Sequence, residues 1–269
     1  MAKAVFEKAP LTEVVCGVEF NAPNFSSVHF GMYWQKVLER FPMPPLDRSP
    51  IGEMPILSLM PQLRRVWFQS QDQKKLVQLQ ADRFLYNWRK LAENDRYPHF
   101  QEVYQEFERE WAVFQEWWDE IGKVQQIPLN VPGVEFSFRA LQPLRYELTY
   151  INQIDASFGW TNSSDHRKIF NFLGRDWEGC RVGKPGLHNT NLEFVLPDGL
   201  GTLGVAISQA MKLEDETALL FCELTARSPD ARVNLQEWFK AANKNIVQTF
   251  IDLLQEDIKR EWDLKWLEP

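Results

Sequence analysis

The sequence predicts an α+β protein made of two tandem β-α-β-β-β-α halves, each an antiparallel sheet covered by one long helix. Three observations predict it. Period-two alternation marks strands opening near residues 12 and 145, and aromatic stripes at helical spacing mark long helices opening near residues 100 and 234. The same order of elements returns after about 135 residues. Residues 1–124 therefore read as the first half, 125–144 as a connector and 145–269 as the second half. The residues of the halves do not align, so the echo lies in element order alone.

In the first half, Thr12 to Phe20 places Val14, Cys16, Val18 and Phe20 on one face and Glu13, Gly17 and Glu19 on the other, as a half-buried strand does. Ser26 or Ser27 caps a helix through about Phe41, carrying Tyr33, Trp34, Val37, Leu38 and Phe41. Pro42, Pro44 and Pro45 stop it, and the stretch to about Pro55 reads as loop. Strands follow at Ile56 to Met60, Arg65 to Ser70 and Lys75 to Trp88, with a tight reversal at Asp72-Gln73. The last strand is long enough to need a bend or bulge near Asp82. A helix from Phe100 to Ile121 then aligns Val103, Phe107, Trp111, Phe114 and Trp118 in one stripe, with Glu102, Glu106, Glu108 and Arg109 off it.

The proline-bearing connector includes a short strand around Val134 to Phe138. In the second half, Arg145 to Ile154 alternates, and Ser163 or Ser164 caps a helix containing Ile169, Phe170, Phe172 and Leu173. Strands at Leu192 to Leu196, Thr202 to Met211 and Thr217 to Arg227 come next. The closing helix starts at an Asn234 cap with Glu237 three residues on; its stripe runs Trp238, Phe239, Ala242, Ile246 and Phe250, and Ile258 and Trp262 continue it on a rotated face. This order resembles TBP-like and helix-grip folds, an analogy of shape.

Composition bounds the function. Hydrophobic residues make up 44% and charged residues 25%, enough for a packed core. Thirty basic against 37 acidic residues leave a net charge of −7, which disfavours phosphate tracking through bulk charge. No secretory leader or membrane-spanning run is seen, and Cys16, Cys180 and Cys222 are odd in number and far apart, so a cytoplasmic protein without a transmembrane segment is expected. Sequence motifs for nucleotide binding, serine hydrolysis and zinc proteolysis are absent, and the four histidines lack ligand spacing. No catalytic residue, metal site or cofactor is assigned. Asp165-His166 could orient an imidazole, but Ser-Ser-Asp is an ordinary helix cap, and Cys180 beside Arg181 reads as a small structural residue.

The most distinctive segment is KLVQLQADRFLYNWRK, from Lys75 to Lys90. Gln78, Gln80, Arg83, Asn87 and Arg89 offer planar hydrogen-bonding groups beside Tyr86 and Trp88, a combination suited to partner recognition. Pro10 to Phe20 (PLTEVVCGVEF), the QLQ-DRF-NWR run, Tyr97-Pro98, Leu148 to Asn152 (LTYIN) and Ile246 to Trp262 together resemble an uncharacterised family scattered sporadically among bacteria and archaea. The resemblance implies no reaction; its patchy distribution implies accessory cargo such as antiphage defence or toxin control. The leading expectation is a non-catalytic recognition protein that meets a protein partner through the Gln78 to Arg89 surface with Tyr150 and Asn152. A first alternative is a binder of a small apolar molecule or lipid, in a cavity lined by Phe107, Trp111, Phe114, Trp238 and Phe250 between helix and sheet. A second is a nucleic-acid binder using a basic patch of Arg64, Arg65, Lys74, Lys75, Arg83, Arg89 and Lys90.

Overall fold

The computed structural model describes residues 3–51, 65–125, 140–174, 177, 179–183, 185–211 and 217–267. Its strands are β1 (Lys3–Phe6), β2 (Leu11–Asn21), β3 (Leu46–Arg48), β4 (Arg65–Gln69), β5 (Lys75–Gln80), β6 (Arg83–Arg89), β7 (Gln142–Ile154), β8 (Asn189–Val195), β9 (Thr202–Met211), β10 (Ala218–Arg227) and β11 (Leu264–Leu267). The helices are α1 (Ser27–Val37), α2 (Phe100–Gln125), α3 (His166–Ile169), α4 (Leu235–Leu253) and α5 (Glu256–Glu261). The architecture is α+β, with a large antiparallel sheet of order β3-β4-β5-β6-β2-β7-β10-β9-β8 and a separate β1-β11 pair. The chain divides into two compact units, Val15–Glu147 with Asp230–Val233, and Met1–Val14 with Leu148–Pro229 and Asn234–Pro269.

In the unit built on Val15–Glu147, Cys16, Val18 and Phe20 alternate into the core as expected. Ser26 precedes α1, and its backbone amide donates to His29 Nδ1 at 2.8 Å. The helix ends at Val37, one turn before the expected Phe41. Phe41 turns back to donate its amide to the Val37 carbonyl, and Trp34 Nε1 donates to the Phe41 carbonyl, so Leu38 is left 43% exposed rather than joining the stripe. β3 falls inside the stretch expected to be loop, because Leu46 finds a partner opposite Trp67 of β4. The expected strands at Ile56 to Met60 and Val134 to Phe138 lie outside the described residues.

The main correction concerns Lys75 to Trp88. This is not one bent strand but a hairpin, β5 and β6 joined through Ala81-Asp82, with Gln80 opposite Arg83 and Lys75 opposite Trp88. The switch of aromatic parity beyond Asp82 therefore marks a reversal of direction. Asp82 anchors it, its carboxylate accepting from Gln80 Nε2 and its carbonyl from the Phe20 amide. Gly17 permits a close approach on the neighbouring strand, since an added Cβ would lie 2.4 Å from Leu85 Cδ2. α2 buries Phe107, Phe114 and Trp118 as expected, and the rings of Tyr33, Phe84 and Trp117 pack around Phe114.

In the other unit, β9 and β10 turn Leu203, Val205, Ile207, Leu220, Cys222 and Leu224 into the core, where Trp238, Phe239, Ala242 and Ile246 of α4 are also buried. Asn234 caps α4 as expected, accepting from the Glu237 amide at 3.0 Å. The helix expected from Ser163 or Ser164 is much shorter. Asn162 provides the cap, a 3-10 turn covers Ser163–Asp165, and α3 stops at Ile169 because Phe170 turns extended and bridges to Leu254. Phe172 is consequently 40% exposed. The closing helix also breaks, at an extended Leu254; Ile258 and Trp262 belong to α5 and its C-cap, and the chain then pairs β11 with β1. No described helix is long and apolar enough to cross a membrane.

Candidate functional site

The β5-β6 hairpin distributes the expected recognition residues over two faces of its sheet. Cross-strand pairs share a face, so Gln78, Gln80, Arg83, Asn87 and Arg89 project to one side, while Tyr86 and Trp88, opposite Val77 and Lys75, project to the other. Tyr86 hydrogen-bonds Glu106 of α2, and Trp88 packs on Tyr97. The polar side is a network. Gln78 Nε2 donates to Asn87 Oδ1 at 2.8 Å, while Gln78 Oε1 accepts from Arg65 at 2.7 Å and from Trp67 Nε1 at 2.9 Å. Gln80 bonds the Ile51 backbone, and Arg83 reaches Glu19 at 2.9 Å and Glu147 at 3.7 Å. Gln78, Gln80 and Asn87 are buried. Tyr150 and Asn152 lie in the other unit, bonding Asn243 Oδ1 and the Cys222 carbonyl.

One part of this side concentrates cationic groups. The guanidinium carbons of Arg48, Arg65 and Arg89 stand 4.5, 5.6 and 5.7 Å from the Trp67 ring centroid, within range of cation–π attraction. Arg48 is exposed and Trp67 partly so. Of the wider basic patch, Lys74, Lys75 and Arg83 are ion-paired to Asp95, Glu106 and Glu19, which removes most of their field from any phosphate chain; Arg64 lies outside the described residues.

A second feature was not foreseen from the sequence. A cleft of about 540 Å³ in the same unit is lined by Arg40, Phe41, Ser70, Gln71, Asp72, Lys75, Tyr86, Arg109 and Glu110. Its floor is an ion pair. Glu110, fully buried, accepts from Arg40 Nε at 2.8 Å and Nη2 at 2.9 Å, and this bond raises the Arg40 pKa further. Arg109 reaches Glu110 only at 3.4 Å. Burial and the Glu106 bond push the Tyr86 phenol well above its ordinary value, so it stays protonated. The Ser70 hydroxyl holds the Asp72 carboxyl below its usual range. Tyr33 is buried beneath, its hydroxyl without a hydrogen-bond partner among the described residues. The cleft carboxylates are thus already satisfied by neighbours, while Arg109 and Lys75, both substantially exposed, keep donors for a ligand. A sequence signal for this site did exist: Glu110 falls inside the α2 stripe, three residues after Phe107 and four before Phe114, where a carboxylate requires a partner.

The residues expected to line an apolar cavity are divided between the two units. Phe107, Trp111 and Phe114 are buried in one unit, Trp238 and Phe250 in the other, and their rings pack on neighbours such as Phe20, Phe84, Phe239 and Trp262. His166 is 1% exposed; its Nδ1 lies 2.6 Å from the Ser163 carbonyl, which fixes the proton there and leaves Nε2 without a partner among the described residues. Burial and the adjacent His188 ring, at 4.8 Å, hold its pKa below the ordinary value against the opposing Ser163 bond. Asp165 accepts from Thr161 and pairs with Lys168 at 2.6 Å rather than orienting this imidazole. Among the described residues, no three His, Cys, Asp or Glu side chains gather where they could hold a metal ion. The chain matches no family model, no curated protein and no solved structure.

Proposed function

We propose that this chain is a non-catalytic recognition protein that acts with a protein partner in a bacterial antiphage defence or toxin-control module. The observation that carries the reading is the Trp67 platform, three guanidinium groups around one indole, with Gln78 and Asn87 bracing it from beneath. Arginine and tryptophan dominate binding hot spots, and a cationic platform favours an acidic segment on the partner. The defence or toxin-control setting rests on the family resemblance of the motifs. A duplicated, TBP-like plan would suit a recognition scaffold, and the placement of β2 beside β6 and of β7 beside β10 supports that reading.

The test is co-expression with the product of the adjacent gene. Wild type retains that product through purification, and Arg48→Glu with Trp67→Ala loses it while thermal unfolding shifts by no more than about 4 °C. Retention of the product by the variant sinks the reading. The polar cleft favours a second reading, in which the same unit senses a small carboxylate or phosphate compound. Such a compound raises the unfolding temperature of wild type and leaves that of Arg109→Ala unmoved; equal shifts in both remove the cleft from the account.

A further inference from the structure

The edge strand β8 carries an instruction for assembly. It closes one end of the large sheet, pairing with β9 alone among the described strands. The flanking bonds, Gln209 amide to His188 carbonyl and Leu196 amide to Gly201 carbonyl, set the alternation. Even-numbered residues turn their backbone groups toward β9, so Asn189, Asn191, Glu193 and Val195 direct theirs outward. All four are exposed, Val195 to 86%. Natural edges are usually blunted by proline, lysine or a bulge. β8 (NTNLEFV) has neither residue, and its register with β9 is unbroken over its full length.

We propose that β8 pairs antiparallel with β8 of a second copy of this chain about a two-fold axis at Leu192. In that register, outward-directed residues meet outward-directed residues, Asn191 opposite Glu193 and Asn189 opposite Val195, forming about eight backbone hydrogen bonds. Glu193 is the only charged residue of β8, and this register sets it against an amide rather than its own copy. Centring the axis on Glu193 would oppose two carboxylates, and any centre other than Leu192 leaves strand ends unpaired. The core-facing residues agree. Thr190, Leu192 and Phe194 share the face of Ile207, Val205 and Leu203, each about 1% exposed. Phe194 is still 39% exposed, and pairing lays Leu192 on Leu192 and Phe194 on Thr190 across the axis, extending that apolar layer.

Sedimentation velocity of the full chain at micromolar concentration tests this. Wild type sediments as a dimer. Asn191→Glu opposes carboxylates at two symmetric positions and raises the dissociation constant at least about tenfold, whereas Asn191→Lys, facing Glu193, keeps the dimer. Adding Glu193→Lys to Asn191→Glu restores association, which a folding defect would not allow. Leu192→Cys gives a disulfide-linked dimer under mild oxidation, because the two side chains face each other on the axis. The comparison is made in a Cys180→Ser background, because Cys180 is partly exposed while Cys16 and Cys222 are buried. A monomeric wild type, an Asn191→Glu protein that dimerises as tightly, or a Leu192→Cys protein that links no better than Cys180→Ser alone overturns the proposal.

Discussion

The Arg40–Glu110 pair makes an asymmetric prediction. Glu110 is fully buried, while Arg40 keeps 36% of its side chain exposed. Deleting one member of a buried pair costs about 3–5 kcal/mol because the other is left charged and desolvated. Arg40→Ala does this to Glu110, whose remaining cation, Arg109, stands at 3.4 Å and is largely solvated. Screening at the exposed end brings the expected loss to about 2–3 kcal/mol. Glu110→Gln leaves Arg40 free to turn to water and keeps one acceptor, so the loss is about 1 kcal/mol or less. Urea unfolding at unchanged m gives both numbers. Glu110→Gln proving the more damaging change would refute the reasoning.

Other predictions follow from single positions. Gly201 has φ of +104°, and an added Cβ would meet the Arg227 carbonyl at 2.0 Å, so Gly201→Ala destabilises by about 3 kcal/mol or more while Gly186→Ala, in open space, changes thermal unfolding little. Burial alone would raise the Asp165 carboxyl, but bonds from Lys168 and Thr161 outweigh it and hold it at about 2. Its contribution to stability is present above the ordinary 3.8 and lost as pH falls toward about 2; in Asp165→Asn, unfolding followed across that window loses this slope. His166, with its pKa depressed, withdraws stability as pH drops below the ordinary 6.5, and His166→Phe abolishes that decline in the same titration. Asn87→Ala leaves the buried Gln78 amide without its acceptor and costs about 1–3 kcal/mol by urea unfolding.

The readable parts of this fold are those where periodicity and burial coincide. β2 alternates because one face meets α2, where Phe20 packs on Trp111 and Phe114, and the aromatic stripes of α2 and α4 are legible because each is buried, with Glu110 the one polar interruption of the α2 stripe. The β5-β6 reversal was hidden because Ala81-Asp82 carries neither glycine nor asparagine, so alternation reads straight through it. The spacing of Ile169, Phe170, Phe172 and Leu173 predicts a longer α3, but the pairing of Phe170 with Leu254, far along the chain, decides its conformation. The platform is half visible in the sequence: Gln78, Asn87 and Arg89 share the distinctive Lys75 to Lys90 segment, but Arg48 and Trp67 join them only through the β3-β4-β5 register. The cleft depends on Arg40 meeting Glu110 across 70 residues, a contact that no local pattern encodes.

The β1-β11 ladder sets Lys3 opposite Leu267 and Phe6 opposite Leu264, with Phe6 against Phe250 and Trp262. Phe6 belongs both to the ladder and to the stack of Phe250 on Trp262, so truncating it to alanine loosens β1, β11 and the end of α4 together.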